Sequence, residues 1–453
     1  MAELERTNFG SKLGIILATA GSAVGLGNVW RFPYMTGQNG GAVFILIYFV
    51  CILFLGIPCI MNEFIIGRRA HSNTARAYSM LSNGSPWKLV GYLGVLTAFL
   101  ISGYYVVVSG WCLQYIYASF TGHLVGNSDY VRQYFVAFSS DAVKPLLWVV
   151  LFILCTHVVI VRGVRKGIER ASKTMMPALF ILLLVIVVCS CLLPDADKGI
   201  AYLFHPDFSK LNADVFLGAL GQSFYSLSIA MGCLCTYASY FSKQTHLMRS
   251  AVQIGVIDSM VAILAGLMIF PAAFSVGVNP DSGPSLIYIT LPNVFNQAFS
   301  AIPSVGYVVS LLFYALLSLA ALTSLISLYE VVTAFLSEEL RVSRSTATLM
   351  VSMGVLVMGV LCSLSLGGYQ GISIGGRSLF DVFDFVTGQI FLPLGGFFTC
   401  LFVGWFIPHK TVREEFTNFG TLRGSLFGAY LFSIKYVCPV CILLVFMHQF
   451  GWI

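Results

Sequence analysis

Charge is what this sequence is short of. Asp, Glu, Lys and Arg make up only 10% of its 453 residues, against about 25% in an ordinary soluble domain, which excludes a soluble globular protein. Strict alternation of polar and apolar residues is also missing, and that excludes a barrel of membrane strands. No His-Glu-x-x-His pair occurs and His157 stands alone, so a zinc-dependent intramembrane hydrolase is unsupported. Cysteine is not scarce, but all twelve fall in apolar stretches and none in an external loop, which argues against a disulfide framework. Cys438 and Cys441 have a redox spacing, yet inside an apolar helix they read as packed thiols. The first twelve residues are charged and polar and lack a cleavage pattern, so no cleavable leader is expected.

What is present in excess is apolar: 58% of residues are hydrophobic and the mean hydropathy is +0.87. Runs such as Ala42 to Ile60, Met176 to Leu193 and Val305 to Leu325 are long enough for helices crossing about 30 Å of hydrocarbon. Eleven spans are expected, near 11–36, 41–67, 89–121, 145–161, 168–193, 214–241, 249–275, 304–336, 346–366, 382–406 and 426–449. With the N-terminus inside, Arg31, Arg132, Lys144, Lys198, Lys210 and Arg377 fall outside and Lys435 within the last span. The remaining 18 of the 25 Lys and Arg (25 − 6 − 1) are cytoplasmic. That bias sets a cytoplasmic N-terminus and an extracellular C-terminus in a multi-pass cell-membrane protein. The net charge of +6 is a topology signal, and no nucleic-acid partner is implied.

Two spans are poor continuous helices. The first carries Gly21, Gly25 and Gly27 with small polar residues between them, and the sixth carries Gly221, Ser223, Ser226, Ser228 and Gly232. Glycine in a helix interior costs about 1 kcal/mol, and irregular backbone survives at membrane depth only where it lines protein or a water-filled cavity. The breaks lie 232 − 27 = 205 residues apart, each opening a block of about five spans. An odd number of spans inverts the second block relative to the first. Repeat one then covers about 9–193, repeat two about 213–406, and an extra helix about 426–449, all in one transporter domain.

Broken helices free carbonyl oxygens, and a hard cation such as sodium needs several oxygens in a dry site. Asn28, Ser226, Asp258 and the pair Thr323 and Ser324 are the side-chain candidates. Ionisable residues inside spans default to function: Glu63, Asp258, Glu330, Asp381 and Asp384 qualify. Glu63 is placed to accept bonds from amides stranded by an unwound segment, a structural task. Arg31 with Asp384 outside, and Arg6 with Glu338 inside, are positioned either to close a pathway or simply to pair at the interfaces. Gly167 and Pro177 bracket a polar stretch that either unwinds as a hinge or forms a loop and kinked helix. Glu330 and Lys435 have no derivable role.

The stretch Gly21 to Pro33, GSAVGLGNVWRFP, resembles the signature of the neurotransmitter:sodium symporter family, bacterial amino-acid branch. Gly221-Gln222, Ser226 with Ser228, TYASY at 236–240, AALTS at 320–324, Glu338-Glu339-Leu340 and Tyr104-Tyr105 before Trp111 are similar to further family motifs in the same order. The resemblance implies an all-α polytopic fold with inverted repeats and discontinuous helices 1 and 6. It implies two sodium ions: one held by the Ala23 carbonyl, Asn28, Ser226, Asp258 and the substrate carboxylate. The other is held by carbonyls of Gly21, Val24 and Ala320 with hydroxyls of Thr323 and Ser324. Tyr105 would hold the substrate carboxylate, with Ala23, Gly25, Gly27 and Ser226 alongside. Ile101, Tyr225, Ser228, Met231, Leu325 and Leu328 would shape the side-chain pocket. Arg31, Asp384, Tyr105 and Tyr225 resemble the outer gate, and Arg6, Glu338 and Tyr240 the inner one.

Two departures carry meaning. Twelve-span relatives have one helix more than the eleven expected here. Asp258 stands where Asn is frequent, and its charge replaces one that animal relatives take from chloride, so chloride is not required. Amine carriers of the family place an acid at the position of Gly25, so a neutral α-amino acid with a hydrophobic or aromatic side chain is the expected substrate. The expected activity is therefore sodium-coupled import by alternating access, not catalysis. An amino-acid-gated channel and a non-transporting receptor are the alternatives.

Overall fold

The computed structural model describes residues 9–277, 286–300, 302–367 and 372–452. The principal helices are α1 (Lys12–Ala23), α2 (Gly27–Gln38), α3 (Ala42–Ala70), α4 (Lys88–Phe120), α5 (Lys144–Val161) and α6 (Val164–Cys191). They continue as α7 (Ala213–Ser226), α8 (Cys233–Ala238), α9 (Leu247–Ser275), α10 (Pro303–Glu339), α11 (Arg344–Leu366), α12 (Leu379–Phe406), α13 (His409–Phe416) and α14 (Phe427–Gln449). The chain is an all-α polytopic membrane protein. Among the described residues, nine helices are long and apolar enough to cross a bilayer, and α1 with α2, bent by 53° at their break, makes a tenth. The eleven expected spans are reached only by counting α7 and α8, which residues 227–232 separate, as one crossing. Neither member of that pair is long enough alone.

Among the described residues the one piece of strand is a two-residue ribbon, Ser373–Ile374 against Arg377–Ser378. The sequence has one Gly-x-Ser-x-Gly spacing, at residues 371–375, and it puts Ser373 in this exposed ribbon. A nucleophile elbow needs a strand-to-helix turn on a parallel sheet, which is not the setting here.

Prolines explain where the long helices change pitch. Pro58, Pro393 and Pro439 each follow a wide turn, at Ile52–Gly56, Val386–Phe391 and Ser433–Val437. Proline cannot donate to the carbonyl four residues back and crowds it, and in a bilayer the freed carbonyl needs another donor. The Phe54 carbonyl, four before Pro58, accepts from Ser433 Oγ at 2.8 Å. The Lys435 carbonyl, four before Pro439, accepts from Trp405 Nε1 at 3.3 Å. These bonds tie α14 to α3 and to α12. Lys435 itself lays its ammonium over the Trp405 ring, 4.6 Å from the centroid, a cation–π contact.

At the far end of α3, Arg68 is buried with its donors occupied. It pairs with Glu415 at 2.6 Å and donates to the Thr245 carbonyl and Asn418 Oδ1. A buried pair stays favourable only when its remaining donors are also satisfied, and here the result is a fixed junction of α3, α13 and the chain entering α9. Among the described residues, irregular backbone lies in the buried interior where the two broken spans meet.

Candidate functional site

α1 stops at Ala23 because Val24 turns extended, with φ −73° and ψ 105°. α7 stops at Ser226, and the chain up to α8 passes through positive φ at Ser228 (53°), Ala230 (66°) and Gly232 (74°). Only glycine adopts that region without strain, so Ser228 and Ala230 must be held. Ser228 Oγ donates to the Ser22 carbonyl at 2.9 Å. Glu63 accepts from the amides of Ala230 at 2.6 Å and Cys235 at 3.2 Å. The carboxylate takes two donors that the break strands.

Beside the breaks lies a closed group of oxygens. Asn28 Nδ2 donates to Asp258 Oδ1 at 2.7 Å and to Ser226 Oγ at 3.0 Å, and Ser226 lies 2.9 Å from both Asp258 oxygens. Tyr48 donates to Asp258 Oδ2 at 2.8 Å. Asn28 Oδ1 meanwhile accepts from the Gly25 amide at 3.1 Å. Exposure is 0% for Asn28, Tyr48 and Asp258, and 2% for Ser226. The residues expected around the first sodium ion therefore converge from α2, α7 and α9. Tyr48, on α3, was not expected; the sign available was a lone hydroxyl within the apolar run from Ala42.

The residues expected around the second ion also meet. Thr323 Oγ1 and Ser324 Oγ each lie 3.4 Å from the Val24 carbonyl, and Thr323 Oγ1 is 3.0 Å from the Ala320 carbonyl. Gly21 faces the same helix: an added methyl would sit 3.4 Å from Thr323 Cβ and 3.3 Å from Met176 Sδ.

Between the two groups is a small cavity of about 40 Å³. Ala23, Gly25, Gly27, Ile101, Tyr105, Tyr225, Ser226, Ser228, Met231 and Leu328 line it, as expected. Leu325 does not, and the expectation for that residue is corrected. One position along a helix turns the side chain by about 100°, so Ser324 and Leu328, four apart, share the cavity face while Leu325 points into packing. Tyr105 presents its hydroxyl 3.5 Å from the Leu26 amide. A methyl on Gly25 would collide with Ser324 Oγ and stand 3.4 Å from the Tyr105 hydroxyl, so any side chain there must displace the Ser324 hydroxyl.

Above the cavity, Arg31 places its guanidinium over the Tyr225 ring, 4.3 Å from the centroid. Asp384 lies within Coulombic range of Arg31, but among the described residues the two make no ion pair within 4.0 Å. The expected outer pair is thus not in contact, and the guanidinium lies over the ring of Tyr225 instead.

On the opposite side, Arg6 lies outside the described residues. Glu338 accepts from the Asn73 amide and Nδ2 at 2.8 and 2.9 Å. Tyr240 donates to Glu330 Oε1 at 2.6 Å, not to Glu338, and Glu330 is ion-paired with Arg344. Glu330, without a role in the sequence, thus fastens the chain just after α8 to α10 and α11. Glu169 was also missed: it accepts from the Gly10 amide at 2.6 Å, Ser11 Oγ at 2.8 Å and Lys173 Nζ at 2.6 Å. This latches the start of α1 to the wide turn Val164–Glu169. Gly167 lies in that turn and Pro177 inside the helix after it, so the segment 164–177 is helical and not a loop.

The family model for the sodium:neurotransmitter symporter family matches residues 6–129 and 128–451. An uncharacterized sodium-dependent transporter of Bacillus subtilis, YhdH, is 36% identical over 455 residues, covering 100% of this chain and 99% of that protein. An uncharacterized sodium-dependent transporter of Haemophilus influenzae is 34% identical, with 98% of each covered. The crystal structure of MhsT in complex with L-phenylalanine superposes with a TM-score of 0.88 at 40% identity, covering 98% of this chain and 99% of MhsT.

Proposed function

The chain belongs to the sodium:neurotransmitter symporter family, and we propose that it imports neutral hydrophobic or aromatic L-amino acids together with two sodium ions. The observation that carries this reading is the buried oxygen group of Asn28, Ser226, Asp258 and Tyr48 beside a cavity that both broken spans line. The first ion sits among the Ala23 carbonyl, Asn28, Ser226 and Asp258, completed by the substrate carboxylate. To serve it, Asn28 turns its amide so that Oδ1 leaves the Gly25 amide and faces the ion. The second ion sits among carbonyls of Gly21, Val24 and Ala320 and the hydroxyls of Thr323 and Ser324.

Tyr105 and the amides of Gly25 and Leu26 in the first break orient the amino-acid carboxylate, exchanging their present partners for it, and Ile101, Met231 and Leu328 receive the side chain. MhsT, seen with L-phenylalanine, supports the aromatic end of this range. Asp258 supplies a fixed negative charge, so chloride is not needed. Binding of both ions and substrate favours a state closed outward, since only that state satisfies all ligands together. Two inverted five-helix repeats, 9–193 and 213–406, then rock about the site, with the N-terminus cytoplasmic and the C-terminus extracellular. At ~100 mV and a tenfold sodium gradient each ion contributes about 2.3 + 1.4 kcal/mol, so two contribute roughly 7 and sustain an accumulation of about 10⁵.

Uptake of radiolabelled phenylalanine, leucine and glycine into proteoliposomes tests the reading. Concentrative uptake of the first two with an inward sodium gradient, lost when potassium replaces sodium, is the expected result. Sodium-dependent binding without accumulation overturns it.

A further inference from the structure

Away from both breaks, α3, α12 and α14 bring three thiols together. Cys59 Sγ lies 3.7 Å from Cys400 Sγ, and with Cys438 all three sulfurs fall within 4.8 Å of one another. Their exposures are 2%, 0% and 0%, and none is in a disulfide. Cys441, the sequence neighbour of matching spacing, is not in the group.

Apolar packing accounts for burying a thiol, but not for the polar groups aimed at these. Asn62 Nδ2 donates to Cys400 Sγ at 3.5 Å, and the Tyr430 hydroxyl at 2.7 Å from Asn62 Oδ1 fixes which side of the amide faces sulfur. Ser433 Oγ lies 3.3 Å from Cys438 Sγ. N–H donors to sulfur stabilise thiolate, as at metal–sulfur centres.

The donor set selects the ion. With sulfur alone as ligand, hard cations such as sodium and magnesium are disfavoured. Structural zinc takes four ligands, and among the described residues no histidine or carboxylate joins these three thiols. Metal–sulfur bonds of about 2.3 Å in a trigonal plane set sulfurs about 4 Å apart, close to the spacing seen. Copper(I), soft and content with two or three sulfurs, fits.

We propose that Cys59, Cys400 and Cys438 form a copper(I) site that staples α3, α12 and α14. Two thiols release their protons to solvent as copper(I) binds, and the third ligates as a neutral thiol. The core then carries one negative charge. Asn62 Nδ2 faces that charge, and Ser433 can turn its hydroxyl to it from the Phe54 carbonyl.

The test is an anaerobic copper(I) titration of the reduced, detergent-solubilised full chain against bicinchoninate. The parent is expected to withhold one equivalent, and C59S, C400S and C438S each to surrender it, while C155S and C189S keep it. Equal copper retention in all six proteins, or none in the parent, overturns the site. Because a serine in this packing can unfold the chain, copper X-ray absorption on the loaded parent gives a second reading. A shell of sulfur alone is expected, and a nitrogen or oxygen shell contradicts the proposal.

Discussion

Asn28 and Asp258, 230 positions apart, meet side chain to side chain at 2.7 Å with neither exposed. The contact joins the second half of one broken span to an unbroken helix, α9. Ser226 of the other broken span touches both partners. Loss of the carboxylate should be felt by the ion before the fold. Asp258→Asn is expected to raise the sodium concentration for half-maximal uptake at least about tenfold, since hydrogen bonds and contacts to a buried charge are each worth about 1.5–3 kcal/mol. Residual uptake should become chloride-stimulated, read by exchanging chloride for gluconate. A parent whose uptake falls in gluconate contradicts the role given to Asp258.

Gly25 sets the roof of the cavity against Ser324 and Tyr105. Gly25→Ala places a methyl in that contact, and overpacking of this kind costs about 1–3 kcal/mol. The expected result is a KM for phenylalanine raised about tenfold or more, with an unchanged elution profile of the purified protein. Unaltered KM argues that the substrate does not reach the first break.

Glu63 is the acceptor for two amides in a stretch of positive φ. Glu63→Ala leaves both unsatisfied, at about 1–3 kcal/mol each, and should lower the thermal midpoint in detergent by several degrees. Glu63→Gln keeps one acceptor oxygen and should lose about half as much. Equal midpoints for parent and both variants would show that the break is held by other contacts.

Glu169 joins the start of α1 to the wide turn of α6. Glu169→Gln weakens that latch, and amide hydrogen exchange of residues 164–177 should speed up severalfold in sodium-free buffer. Added sodium with phenylalanine should slow it again. Protection of this stretch under every ionic condition, in parent and variant alike, contradicts a hinge at Gly167 and Pro177.

Much of this site was legible because its residues break a rule of their surroundings. Glycines at 21, 25 and 27 and serines at 226 and 228 stand out in an apolar helix, and Asp258 is a charge where lipid forbids one. Leu325 was misplaced because spacing along a helix does not tell which of two adjacent faces looks into a cavity. Tyr48 escaped because its chain neighbours make it resemble ordinary packing, and only the third dimension brings it to Asp258. Glu330, Arg344 and Glu169 escaped for a related reason: Glu330 and Arg344 pair between two helices, and Glu169 reaches Gly10 and Ser11 ahead of α1. The eleven-span count depends on taking α7 and α8 as the two halves of one broken span, divided by the irregular residues 227–232.

Coupling is the central claim, and the most direct test follows radioactive sodium and radiolabelled phenylalanine into the same proteoliposomes. The prediction is a fixed ratio of two sodium ions per amino acid at every phenylalanine concentration, with no sodium flux when phenylalanine is withheld. Sodium entering in a ratio that varies or greatly exceeds two would mean a channel, and phenylalanine bound without flux would mean a receptor; either contradicts the account.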